Sequence, residues 1–436
     1  MLLRKIVVLV LIFVASAAWA QQISKLERDR AQDMLKVIGD DVHKHYYDPK
    51  FHGLDWPAKI AEAKQKISEV KSFNMAMSHI AAMLDTLNDS HTFFLPPQHA
   101  YRHDFGWQYQ IIGERCFVTQ VRPGSDAEVK GVKPGDEILT INGFTPERSN
   151  IWKMQYVFSA LRPQPSLRLG LQDTTGKQRE VEVAARIREK KKVTDLTLAD
   201  GGGDIFDLIR EGETNEHLNR ARVVERGDEL MILKFPGFFF SPTQIGDIIG
   251  KARKHKALIV DLRGNSGGSV ETLKNLVGGM FDKEVKIGDR VGRKENKPML
   301  AKGYKDPFTG KLIVLVDSRS ASASELFARV MQIEKRGTVM GDRSSGSVME
   351  SLHYNEKMGS DVVIFYGVSI TDADIIMTDG KSLEHAGVVP DELLLPSATA
   401  LANNRDPVLA RAAESVGVKI SPEEAGKLFP YEWPPE

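Results

Sequence analysis

Residues 257–281 read ALIVDLRGNSGGSVETLKNLVGGMF. The apolar run Ala257–Val260 has the length and composition of a buried strand. It meets a glycine-rich turn at Gly264–Gly268, and a helical stretch over 270–281 follows. Strand, tight turn and helix in that order form the repeating unit of a layered α/β domain. The pattern extends on both sides. Leu230–Leu233, Leu312–Val316 and Val362–Tyr366 are further buried-strand candidates, and helical stretches at 243–255 and 323–335 fall between them. The α/β domain is therefore expected over 226–396, followed by a C-terminal tail, 397–436.

Upstream, the texture changes twice. Over 104–188, short β-rich runs such as Cys116–Val118 and Glu137–Ile141 alternate with the turn signals Pro134-Gly135-Asp136 and Asn142-Gly143. Over 21–100, Leu26, Ala31, Met34, Leu35, Ile38 and Val42 mark one face of an amphipathic helix. Patterns at 56–70 and 75–87 repeat it, so a small helical domain is expected. The polar stretch 189–225, with Gly201-Gly202-Gly203, reads as a linker.

The chain begins with Arg4 and Lys5, an apolar run from Ile6 to Val14, and Ala18-Trp19-Ala20. This reads as a secretory signal peptide over 1–20, cut after Ala20, and implies a periplasmic or secreted protein. The apolar run is shorter than the ~20 residues of a membrane span. Lys+Arg and Asp+Glu both number 59. That balance points away from nucleic acid as a partner. Cys116 is the only cysteine, so no internal disulfide forms, and its apolar neighbours mark a buried thiol. His43, His45 and His52 lack metal-ligand spacing, and no phosphate or dinucleotide loop occurs, so no metal or cofactor is expected.

The run Ser320-Ala321-Ser322-Ala323-Ser324-Glu325 stands where a strand gives way to a helix. Serines at such a place commonly cap the helix. The same place offers free N–H groups and positive partial charge to a nucleophile. Gly267 and Gly268, after their own strand, allow a close backbone approach.

Three segments carry a resemblance. Val121–Phe144, VRPGSDAEVKGVKPGDEILTINGF, resembles the core of a PDZ domain. Val260–Gly268 and Val316–Gln332 resemble two stretches of the tail-specific, or C-terminal-processing, proteases of peptidase family S41. The resemblance implies an α+β multidomain chain: a helical N-terminal domain, a PDZ domain and a crotonase-like α/β catalytic domain. It implies a serine-type endopeptidase acting on proteins or peptide tails, with Ser322 as nucleophile. Gly267, Gly268 and Ala323 would supply oxyanion donors. Many of these proteases pair the serine with a lysine, but Ser347 stands at that position here, and no lysine occurs between Lys335 and Lys357. A branch resembling the tricorn protease core uses histidine. Asn88-Asp89-Ser90-His91-Thr92 and Ser382-Leu383-Glu384-His385 fit its elements. His91 is then the expected base, with Ser90 and Glu384 ordering it, and His353 and His385 as other candidate bases. The PDZ domain implies a bound peptide segment, held near Phe105, Gly106 and Trp107. Two other readings stay open: an inactive peptide-binding scaffold, and a serine–lysine enzyme using Lys302 or Lys311.

Overall fold

The computed structural model describes residues 23–189, 218–359 and 363–434. The expected signal peptide, and 190–217 of the expected linker, lie outside the described residues. Helix α1 (Lys25–His45) starts at a reciprocal cap. The Glu27 N–H donates to Ser24 Oγ at 3.1 Å, and the Ser24 N–H to Glu27 Oε2 at 2.8 Å. Helices α2 (Trp56–Glu69) and α3 (Phe73–Asp85) pack against it around the fully buried Trp56, whose Nε1–H donates to Gly39 O. This core is not self-contained. Phe94 of β1 (Phe93–Leu95), Leu161, and later Tyr366, Val368 and Ile370, complete it.

The next region is a five-stranded antiparallel sheet. It is built from β3 (Trp107–Ile112), β4 (Arg115–Val121), β5 (Glu137–Ile141), β6 (Ser166–Gln172) and β7 (Gln178–Ala184), in that spatial order. Short helices α4 (Asp126–Val129) and α5 (Ile151–Tyr156) accompany it. A separate pair, β2 (Tyr101–Asp104) with β8 (Arg186–Glu189), joins its two ends. Strand β3 is an edge strand of this sheet.

The third region opens with β9 (Arg222–Arg226) and β10 (Leu230–Lys234). Next come α6 (Pro242–Ala252), β11 (Ala257–Asp261), α7 (Val270–Gly278), the hairpin β12 (Val285–Gly292) and β13 (Asn296–Ala301), β14 (Lys311–Val316), α8 (Ala323–Ile333) and β15 (Thr338–Gly341). The long hairpin β16 (Glu350–Met358) and β17 (Ile364–Met377) precedes β18 (Glu392–Leu393). Strands β18, β15, β14, β11 and β10 run parallel in that spatial order, with β9 antiparallel at the edge. Met231, Leu233, Leu258, Val260, Val314 and Val316 face α6–α8. The intervening Leu230, Ile232, Ile259, Ile313 and Leu315 point to the other face.

That other face corrects one expectation. Residues 397–436 were expected to form a tail, but they carry α9 (Ala398–Ala402), α10 (Pro407–Ser415) and α11 (Pro422–Leu428). Leu409, Ala412, Ala413, Ile420 and Ala425 cover the second face of the sheet. A parallel sheet needs both faces dry, and these helices supply the missing layer. Arg263 fastens them by a bidentate pair to Asp406, at 3.0 and 2.7 Å.

Candidate active site

Strand β14 ends at Val316, and the chain loops back to start α8 at Ala323. Ser322 occupies the corner with φ +56° and ψ −121°, a conformation that costs a non-glycine residue about 1–3 kcal/mol. The surroundings impose it. The Ser322 N–H donates to Ser347 O at 2.7 Å and to Glu325 Oε2 at 3.0 Å, while the Ala321 N–H donates to Asn265 O at 3.0 Å. The three serines of this run separate by environment. Ser320 Oγ donates to Leu262 O and Ser324 Oγ to Asn265 O, and both residues are fully buried. Ser322 alone of the three is partly exposed.

The glycine turn after β11 lies against this corner. Gly267 has φ +95°, and a Cβ there would fall 2.6 Å from Ser322 Cβ. Gly268 has φ +141°, and a Cβ there would meet Phe238 O at 2.5 Å. Buried Asn265 locks the turn. Its Oδ1 accepts the Gly267 N–H at 2.8 Å and its Nδ2–H donates to Phe235 O at 2.8 Å. The expected donor set therefore divides. The Gly267 N–H is engaged by Asn265, and there is no room for a side chain at this position. The N–H groups of Gly268 and Ala323 donate to nothing among the described residues.

Ser90 and His91 stand just before β1. Ser90 Oγ lies 2.7 Å from His91 Nδ1 and donates to Glu384 Oε2 at 2.9 Å, and the Ser90 N–H donates to Glu384 Oε1 at 2.8 Å. Glu384 Oε2 also accepts the Val348 N–H at 3.0 Å. Ser347 and Val348 thus hold the two halves together: one binds Ser322, the other Glu384. Burial pushes the Glu384 carboxyl up, against these hydrogen bonds. Burial also lowers the His91 pKa; the Asp89 charge opposes this and His353 adds to it.

The other candidate bases are placed differently. The exposed His385 ring bonds Asn88 O at 2.8 Å, and His353 sits on β16. Lys311 opens β14, at the end remote from Ser322. Lys302 O lies against Gly278, at the far end of α7 from the glycine turn. Half-buried Lys234 is tied to Asp261 Oδ1 at 3.2 Å and Arg263 O at 2.7 Å. Burial pushes the Cys116 thiol pKa up, as befits a core residue. His43 stacks on Phe51, His45 on Tyr354, and His52 bonds Tyr46, so they do not converge.

One carboxylate was missed. Glu325 is fully buried and accepts from Ser344 Oγ (2.6 Å) and from the N–H groups of Gly346 (2.7 Å), Ser347 (2.9 Å) and Ser322 (3.0 Å). Burial pushes its pKa up to about 7, against those four donors. Its only signal in the sequence is Ser-x-x-Glu spacing, which ordinarily marks a helix cap.

Phe105, Gly106 and Trp107 lead into edge strand β3. Gly106 has φ +71°, and a Cβ there would strike Ser125 Cβ at 2.4 Å. Its N–H donates to Asp104 Oδ1 at 2.9 Å, and Asp104 pairs with Arg122. An internal carboxylate thus takes the Gly106 N–H. Further along β3, Gln110 Nε2 donates to Asp317 Oδ2 at 2.7 Å, and Ser318 Oγ donates to Ile111 O. A cavity of about 660 Å³ lies between β3–β4 and the carboxyl ends of β10, β11 and β14. Asp317 and Gly264 line it, while Ser322 and His91 do not.

An edge-stranded small β domain set against an α/β core, with a strained serine at a helix start, defines a PDZ-bearing serine-type peptidase. Comparison with known proteins agrees. Residues 231–394 match the model of peptidase family S41 and residues 100–169 that of the PDZ domain. Residues 231–394 therefore carry a peptidase family S41 domain, with a PDZ domain ahead of it. It is 25% identical to the chloroplastic carboxyl-terminal-processing peptidase 1 of Arabidopsis thaliana, over 84% of this chain and 72% of that one. It is 22% identical to the tail-specific protease of Haemophilus influenzae, over 82% of this chain and 51% of that one, so it spans about half of that relative. Among solved structures, mature CPAF complexed with lactacystin aligns with a TM-score of 0.63 at 16% identity, covering 86% of this chain and 96% of that one. The photosystem II D1 C-terminal processing protease aligns at 0.52 and 18%, covering 85% and 97%. No helix among the described residues is long and apolar enough to cross a membrane.

Proposed function

We propose that the protein is an exported serine endopeptidase that hydrolyses proteins or peptide tails, with Ser322 as nucleophile and His91 as general base. The observation that carries this reading is the hydrogen-bonded path from His91 through Ser90 and Glu384 to Val348, next to the Ser347 carbonyl that holds Ser322.

The path also selects a tautomer. The Glu384 carboxylate accepts the Ser90 O–H, so Ser90 Oγ accepts from His91 Nδ1–H. Nε2 is left with a lone pair. It takes the Ser322 proton as Oγ attacks the scissile carbonyl, and Gly268 N–H and Ala323 N–H hold the oxyanion. The imidazolium returns that proton to the leaving amine. Water then enters by the same base and frees the acyl group. A peptide segment would lie along the edge of β3, on the part ahead of Ile111.

The test is labelling with a fluorophosphonate, followed by peptide mapping. Wild type is expected to carry one adduct on Ser322, and His91→Ala to lose it. An adduct that persists in His91→Ala would sink the histidine mechanism.

A further inference from the structure

Glu384 reaches His91 only through Ser90. A different carboxylate touches the segment that carries the imidazole. Asp89 is buried, and its Oδ1 accepts three bonds: from the His91 N–H at 2.9 Å, the Thr92 N–H at 2.7 Å and Thr371 Oγ1 at 2.7 Å. Thr371 belongs to β17 and its N–H donates to Thr92 Oγ1 at 3.0 Å, so the loop is pinned to that strand at two points. Asp89 Oδ2 is buried, and the Asp89 carboxyl also interacts with the Tyr46 phenol. Burying a carboxylate is costly, and such a group calls for a reason.

We infer that Asp89 is a positioning residue for His91: Oδ1 fixes the main chain that carries the ring, and the charge stabilises the imidazolium formed when Ser322 gives up its proton. This rests on the reading of His91 as base. The charged surroundings agree with it. Glu384 acts at one remove through Ser90, with His385 Nε2 beyond it, 3.7 Å from Glu384 Oε1. His353 on β16 opposes the imidazolium, and burial does so more strongly. Asp89 is the charge that favours it. Tyr46 and Tyr47, at the end of α1, also feel Asp89, which adds to burial in holding both phenols protonated.

The test measures the fluorophosphonate labelling rate of Ser322 against pH in the full chain. Asp89→Asn keeps an acceptor at Oδ1 and removes the charge. Its acid-limb midpoint is expected to move to lower pH, with the plateau rate reduced by about tenfold or more. Thr371→Val keeps the charge and removes the hydroxyl that bonds both Asp89 Oδ1 and Thr92 Oγ1. It is expected to slow the plateau several-fold while leaving the midpoint in place, and it stays informative if Asp89→Asn does not fold. A Thr371→Val plateau equal to wild type, or an Asp89→Asn profile superimposable on wild type, overturns the inference. If wild type and His91→Ala label equally, the reading of the base falls first; if His91 is required and either variant matches wild type, this inference alone falls.

Discussion

Two residues beside Ser322 make opposite demands. Gly267 must lack a side chain, because a Cβ would press on Ser322 Cβ at 2.6 Å from a backbone with φ +95°. Gly267→Ala is expected to cut Ser322 labelling by about a hundredfold or more, the scale of losing an oxyanion donor, with an unchanged far-ultraviolet circular dichroism spectrum. Equal labelling would mean that the turn yields without cost. Glu325 must keep its side chain, and its burial has a pH signature. Its pKa rises from 4.5 to about 7 on folding, so the folded chain holds a proton that the unfolded chain releases. The stability this confers is full below about pH 4.5 and is lost as pH rises through about 7. Wild type should therefore lose melting temperature between pH 5 and 8, and Glu325→Gln, which cannot titrate, should show a flatter slope. Equal slopes would show Glu325 ionised throughout. At this scale the sequence pointed to the middle serine only through family resemblance. The structural reason is that Ser320 and Ser324 are consumed by carbonyls of the neighbouring turn. Glu325 and Asp89 were passed over because nothing local separates them from a helix cap and a loop acid.

Among the elements, the long apolar ones were legible. The helical stretches 243–255, 270–281 and 323–335 correspond to Pro242–Ala252, Val270–Gly278 and Ala323–Ile333. Each pairs a helical spacing with a flanking buried strand, so propensity and burial agree. The last forty residues were not legible. Their helices are five, nine and seven residues long. Helices that short are held by tertiary packing rather than by their own periodicity. Strand β17 was likewise half seen: Val362–Tyr366 was read, but the strand runs Ile364–Met377. Its polar Ser369, Thr371, Asp372 and Asp374 break the apolar pattern. The C-terminal layer carries a prediction. Stopping the chain at residue 396 would bare Leu230, Ile232, Ile259, Ile313 and Leu315, and leave Arg263 without Asp406. The truncated protein is expected to be insoluble or to melt far below the full chain in calorimetry. A soluble truncation with a native melt would contradict the role given to this layer.

Across the whole molecule, the site is gathered from five places: 88–92, 264–268, 317–325, 344–348 and 382–387. Sequence spacing alone cannot announce such meetings, since they follow from the order of strands in two separate sheets. The PDZ domain falls between the first place and the rest, and it touches the core beside the nucleophile. Asp317 binds Gln110 of β3 with one oxygen and the Gly264 N–H with the other, at 2.7 and 2.9 Å. Ser90 and Glu384 are 294 residues apart. If the proposed reading holds, a chain made amino terminus first presents His91 early, Ser322 much later, and Glu384 later still. Until then it would be chemically an ordinary polypeptide. The ability to cut would arrive only with closure of the last long-range contact, which would make activity itself a certificate of complete folding.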